Sequence, residues 1–354
     1  MKLTYRIGGA GSEEERDAAV EISPGELAAV HLHLAHPEGR NRTDRYMRRH
    51  GPGVDPNHPR RAAGEPPKLT IPEHLDRMVR SGIITRVDPP PAGGPEPWRA
   101  EPARVVVPVS DVVSNLLRPC FHRDTFGGHR LFHFADEPIT ARPYWCACYS
   151  RDPSGAGRVE LRWVRFDPAA DRAFDPAGAD LLADGLVWAA ALVPLVVDGR
   201  PLPTAEIAAH DYDLRQFLGR GSGDAIREAY AGWFDRWAER VAAAVARQEQ
   251  AGEPFARFYH SVLGVDRAGT VHVRQTEADL PGLASDLARE GLWAAGLLDS
   301  GGSCAVYDAW LGGYVNHGWY FREPRGAVLV FELTTPQRVP RDEPGAWVRR
   351  RAQG

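Results

Sequence analysis

The chain has 354 residues, of which 43% are hydrophobic and 25% charged, and its formal net charge is −4. That is enough apolar sequence for a substantial core in one large domain or two ordinary ones, and the charge excludes a general attraction to nucleic acid or to membrane surfaces. The 36 glycines and 30 prolines point to a loop-rich, sheet-containing protein rather than a helical bundle.

The N-terminal stretch MKLTYRIGGAGSEEERDAAVEI lacks the apolar segment of a signal peptide. No apolar run reaches the ~18–20 residues of a membrane span. The expected location is cytoplasmic. The four cysteines, Cys120, Cys146, Cys148 and Cys304, are too few and too irregular for a disulfide framework. On a strand, Cys146 and Cys148 would face one side.

Residues 2–7 read as a short strand and 26–34 as a strand or helix. An Arg/His/Pro-rich stretch follows at 36–61, with Arg40, Arg42, Arg45, Arg48 and Arg49. It reads as a solvated basic loop, or as a basic flap over a phosphate. Residues 72–81 form a helix with proline in its first turn and Leu75, Met78 and Val79 as its apolar stripe. Residues 83–87 are expected to be a strand. The Pro/Gly segment 88–98 marks the boundary between an N-terminal region, 1–98, and a main domain, 99–354.

In the main domain, strands are expected at 104–109, 129–134, 142–149 and 158–166, and a short helix at 111–117. Residues 188–197 read as one buried strand closed by an Asp198-Gly199 hairpin turn. The β pattern then breaks. The longest helical pattern, 224–248, carries Ile226, Tyr230, Trp233, Phe234, Trp237, Val241 and Val245 at i, i+3/i+4 spacing. A hairpin follows, 259–266 and 270–275, then a helix over 281–290 stopped by Gly291. Strands at 293–298, 304–307 and 327–333 complete the chain. The fold class expected is α+β: a mixed β-sheet core with flanking helices and a long helical insertion at about 205–250.

Between the strands at 293–298 and 304–307 lies Asp299-Ser300-Gly301-Gly302-Ser303. Paired glycines let the backbone turn sharply and expose consecutive N–H groups, which form an anion-binding concavity. The alternative is a tight β-connection without chemistry. A nucleophile elbow at Ser303 is disfavoured, because such an elbow opens a helix and the sequence here resumes a strand.

The order of these pieces resembles the phosphodiester glycosidase domain family. The matching segments are LVPLVVDG (192–199), HSVLGVDRAG (260–269), LPGLASDLAREG (280–291), LLDSGGS (297–303) and REPRGAVLVF (322–331). The resemblance covers about 188–334, interrupted by the helical segment. Two positions depart from the family pattern. Ser300 stands where the family usually has glycine, and His260-Ser261 where it tends to have Arg-Thr.

The resemblance implies a hydrolase that cleaves a sugar phosphodiester or a nucleotide-like glycosyl phosphate. Asp299 and His260 are then the candidate catalytic residues. Asp299 would activate water or stabilise positive charge at the anomeric carbon, and His260 would act as a general acid or pair with phosphate. Ser300, Gly301, Gly302, Ser303, Arg322, Asn316, His317 and Ser261 are the candidate substrate-binding residues, with Arg322 first for phosphate. Glycosidases commonly use two carboxylates. Asp211 and Asp308 are the candidates for the second. The partner expected is a small phosphorylated sugar or nucleotide. No cofactor, catalytic metal, nucleic acid or membrane is expected. Two alternatives stay open: an enzyme of natural-product biosynthesis with an altered reaction on the same scaffold, and a non-catalytic sugar-phosphate or nucleotide-binding protein.

Overall fold

The computed structural model describes residues 2–6, 17–34, 69–85, 103–109, 120–123, 129–132, 143–167, 169–210, 217, 237–301, 304–309, 313–317 and 326–334. Among these residues, three antiparallel sheets surround a shared apolar core. With strands numbered in chain order, the largest runs β1 (Lys2–Arg6), β2 (Asp17–Ile22), β14 (Val271–Ala278), β13 (Phe258–Asp266), β15 (Leu292–Ser300), β11 (Val193–Val197) and β12 (Arg200–Pro201). The six-stranded sheet runs β6 (His129–Phe132), β5 (Cys120–Arg123), β10 (Leu186–Ala191), β7 (Tyr144–Arg151), β8 (Gly157–Asp167) and β9 (Arg172–Phe174). The five-stranded sheet runs β17 (Gly313–His317), β16 (Ala305–Asp308), β4 (Ala103–Val109), β18 (Ala327–Leu333) and β3 (Leu27–Leu34). The fold is α+β and dominated by sheet, as the composition and strand patterns lead one to expect.

Alternation builds the core. Val20 and Ile22 of β2, Val271 and Val273 of β14, and Leu263 and Val265 of β13 point inward from the largest sheet. Val30 and Leu32 meet them from the five-stranded sheet, and Trp145, Trp188 and Leu161 from the six-stranded one. Two buried tryptophans tie the sheets together. The Trp145 indole N–H donates to the Ala295 carbonyl at 3.2 Å, and that of Trp188 to the Val30 carbonyl at 3.0 Å. Each large ring is buried with its polar handle satisfied.

Helices cover the other face of the largest sheet. Helices α2 (Thr204–His210) and α3 (Trp237–Ala251) come from the expected insertion, and α4 (Leu280–Arg289) follows β14. Ile207, Ala208, Ala244, Val245, Leu283 and Leu287 pack there against Val193, Val262 and Leu297. Asp279 caps α4 by accepting from the Gly282 N–H at 2.8 Å, and Gly291, at φ +94°, ends it. Residues 211–216 and 218–236, which hold the first half of the aromatic stripe and Asp211, lie outside the described residues, as do 36–61, 88–98 and 111–117.

Two expectations need correction. Residues 188–197 are not one strand. The chain changes sheets at Leu192, so that β10 joins the six-stranded sheet and β11 the largest. Nor do residues 83–85 form a strand. They close helix α1 (Ile71–Arg80), where the Ile83 N–H reaches the Met78 carbonyl and the Gly82 N–H that of Val79, at 2.9 and 3.0 Å. This is a Schellman end, with Gly82 at φ +68°. Ile84 is buried against the outer face of the five-stranded sheet. Strands β2 and β3, from the N-terminal region, pair with β14 and β18 respectively. Among the described residues, no helix is long and apolar enough to cross a membrane.

Candidate functional site

Strand β15 runs two residues further than its apolar pattern suggests. It carries Asp299 and Ser300 as paired strand residues, with Ser261 opposite Asp299 and His260 opposite Ser300 on β13. Directly opposed residues share a face of the sheet, and consecutive residues do not. A register shift lies between Ser261 and Val262, where Leu298 is the extra residue of a bulge. The ladder therefore ends in two polar groups, one on each face. Gly301 follows at φ +84° and turns the chain out of the sheet.

The inward face holds Asp299, Ser261, Gln275 and Tyr259. All four are buried, with Asp299 3% exposed and Ser261 and Gln275 fully enclosed. The Tyr259 hydroxyl donates to Gln275 Oε1, and Gln275 Nε2 donates to Ser261 Oγ, both at 3.4 Å. The Ser300 N–H donates to Asp299 Oδ1 at 2.8 Å. Cys304 lies next to this cluster, its thiol 3.5 Å from the Tyr259 carbonyl. Asp299 is thus a buried carboxylate at a strand end, opposite a serine whose hydroxyl belongs to a buried hydrogen-bonded chain.

The helix-side face holds His260, fully buried, with Nδ1 2.8 Å from Ser300 Oγ and Nε2 3.1 Å from the Ala278 carbonyl. Burial lowers its pKa to about 3, against a smaller upward push from the Ala278 carbonyl. The imidazole is neutral in ordinary buffers.

The structure thus joins Asp299 to Ser261 and His260 to Ser300, and sets the two expected catalytic residues on opposite faces. Gly302, Ser303 and Arg322 lie outside the described residues. Asn316 and His317 sit on β17, in register with Val306 and Ala305 of the five-stranded sheet. Asp308 ends β16, opposite Gly313 and Val105. Ala305 continues the chain as strand, which excludes the helix an elbow at Ser303 would need. Among the described residues, no three His, Cys, Asp or Glu side chains gather as a metal site requires.

Sequence reasoning missed Gln275 and Tyr259. The signal was present: on β14, Val271, Val273 and Gln275 share the inward phase, and on β13 so do Val265, Leu263, Ser261 and Tyr259. Both apolar faces turn polar at the same register, beside Asp299.

No protein-family model matches the chain, and no curated protein does. Among solved structures, a hypothetical protein from Synechocystis aligns at 11% identity and TM-score 0.38, over 93% of this chain and 62% of that one. This chain therefore spans less than two thirds of that protein. The catalytic domain of zebrafish N-acetylglucosamine-1-phosphodiester alpha-N-acetylglucosaminidase, auto-inhibited by its pro-peptide, aligns at 12% identity and TM-score 0.31, over 67% and 73%. A protein from Burkholderia pseudomallei K96243 aligns at 15% identity and TM-score 0.38, over 90% and 74%. At these scores the likeness is weak and concerns the fold alone.

Proposed function

We propose that the chain is a hydrolase that cleaves a sugar phosphodiester or a nucleotide-like glycosyl phosphate, with Asp299 as its reacting carboxylate. The observation that carries this is the burial of Asp299, 3% exposed, at the end of β15, opposite Ser261 of the Tyr259–Gln275–Ser261 chain and two residues before the Gly301 turn. Asp299 acts on water or on the charge that develops at the anomeric carbon. The resemblance makes the Gly301-Gly302-Ser303 segment the candidate anion cradle and Arg322 the candidate partner of the phosphate. The sequence resemblance over 188–334 supplies the reaction class. The test is a panel of sugar phosphodiesters and nucleotide sugars. Asp299→Asn should lose at least ~100-fold in turnover while keeping its circular dichroism. A wild-type protein inert toward the whole panel, or an unimpaired Asp299→Asn, would overturn the reading.

One observation favours a second reading. Position 260, where the resembled family tends to have arginine, holds a neutral imidazole with both ring nitrogens bonded inside the protein. It offers no cation to a phosphodiester. An altered reaction on the same scaffold, or ligand binding without turnover, fits that feature. Mass spectrometry of a co-purifying ligand, read with the turnover panel, decides it: a small molecule without phosphate supports an altered reaction, a phosphorylated sugar bound but not turned over supports binding alone, and one that is turned over supports the first reading.

A further inference from the structure

We propose that His260 and Ser300 form a neutral latch that positions Asp299, and that they are not a nucleophile–base pair. This rests on the reading of Asp299 as the reacting carboxylate.

A serine hydroxyl 2.8 Å from an imidazole nitrogen has the geometry of an activated nucleophile. The surroundings decide against that chemistry. A backbone carbonyl can only accept, so the Ala278 carbonyl fixes the ring proton on Nε2. Nδ1 then carries the lone pair, and the Ser300 hydroxyl donates to it. Taking the Ser300 proton would turn His260 into an imidazolium inside a fully enclosed site. Its Nε2 faces a carbonyl and not a carboxylate. Asp299, the carboxylate nearest in the ladder, faces the other side of the sheet. Burial already holds the imidazole pKa at about 3.

The latch has a mechanical consequence. It joins three neighbouring strands at one rim: β14 through the Ala278 carbonyl, β13 through the imidazole, and β15 through the Ser300 hydroxyl. Ser300 in turn donates its backbone N–H to Asp299 Oδ1 and precedes the Gly301 turn. Fixing the Ser300 side chain on one face therefore fixes the backbone that orients the carboxylate on the other. A carboxylate held through such a relay reacts from one geometry, and a shift of about 1 Å costs up to ~100-fold.

Three measurements test the latch. Nitrogen-15 NMR of the wild-type protein should show His260 as the Nε2–H tautomer, unchanged from pH 8 to about 5. A fluorophosphonate probe should leave Ser300 unlabelled. In the diester assay, His260→Asn and Ser300→Ala should each lower kcat about tenfold with little change in KM. The double variant should be no worse than either, Ser300→Thr should recover most of the rate, and the pH profile should keep both limbs. Labelling of Ser300, titration of His260 between pH 5 and 8, or loss of a limb in His260→Asn would overturn the proposal. The NMR and labelling need neither a variant nor turnover, so they decide whether the pair is neutral and non-nucleophilic even if no diester is cleaved. In that case a shift in the Asp299 carboxyl carbon-13 titration between wild type and Ser300→Ala replaces the kcat comparison, and an unchanged titration counts against the latch.

Discussion

Asp299 and His260 stand one register step apart on neighbouring strands, yet on opposite faces of the sheet: Asp299 opposes Ser261, and His260 opposes Ser300. One polar rim therefore has two chemically distinct sides. The inward side keeps a carboxylate among amide and hydroxyl groups. The helix side keeps a neutral imidazole.

The buried imidazole makes stability depend on pH in a definite direction. The folded pKa of His260, about 3, lies below its ordinary value of 6.5 because burial penalises the charge. Between those values the unfolded chain binds the proton and the folded chain does not. Stability is therefore full above about pH 6.5 and falls as pH drops toward 3, by up to about tenfold in the folding constant per pH unit. The comparison with His260→Asn isolates this contribution. Urea midpoints measured from pH 7.5 to 4.5 should drop more steeply for the wild type, and parallel curves would count against an enclosed neutral histidine.

Gln275 bridges Tyr259 and Ser261, and Ser261 stands opposite Asp299. Replacing it with leucine removes two long hydrogen bonds but keeps the volume, so the stability loss should be about 1–2 kcal/mol. The rate loss, about tenfold, should appear in kcat. Gln275→Glu is predicted to be worse at pH 7, because it encloses a second carboxylate near Asp299. A buried carboxyl has a raised pKa, so its penalty is relieved as pH falls. The Gln275→Glu protein should be closer to wild type at pH 5 than at pH 7 in denaturant titrations, once the wild-type slope is subtracted.

The sequence made the scaffold of this rim readable where pattern and punctuation agree. The β13–β14 hairpin, the capped helix α4 and strand β18 each carry a clear period and a turn or stop residue. It did not reveal the change of sheet at Leu192, because VWAAALVPLVV has no polar residue to mark it. Nor did it reveal that Asp299 and Ser300 belong to the strand. Their backbone groups are paired across to β13, a long-range choice that the polarity of the residues obscures. Ile83 and Ile84 misled for a related reason: β-branched residues there serve a helix end rather than a strand.

The outer face of the five-stranded sheet holds a buried ion pair that can be separated from the site. Arg104, 2% exposed, donates Nε to Glu332 Oε1 at 2.7 Å and a guanidinium nitrogen to Thr85 Oγ1 at 3.0 Å. Burial pushes the Glu332 carboxyl up, but the bonds from His31 and Arg104 outweigh it and hold the pKa below the usual range. Glu332→Gln leaves Arg104 enclosed without its counter-charge and should cost about 3 kcal/mol. The paired change Arg104→Met with Glu332→Leu should cost far less, within about 1 kcal/mol of wild type. Thermal unfolding of the two proteins checks the contrast. Diester turnover should survive in both at temperatures where they are folded.

Gly301 offers the sharpest separation of stability from function. Its φ of +84° is unfavourable for any side chain, yet among the described residues a Cβ added there would meet nothing within 4 Å. The cost of Gly301→Ala is therefore chiefly backbone strain, about 1 kcal/mol. Strain of that size can be relieved by rotating the peptide that leaves Asp299 and Ser300. In the proposed site that rotation moves the N–H groups of the anion cradle. Gly301→Ala should lower the melting temperature by only a few degrees, yet raise KM for a phosphodiester by about tenfold or more. Melting curves and steady-state kinetics on the same preparation measure both. An unchanged KM would remove the turn from the anion site and leave Asp299 without its neighbouring cradle.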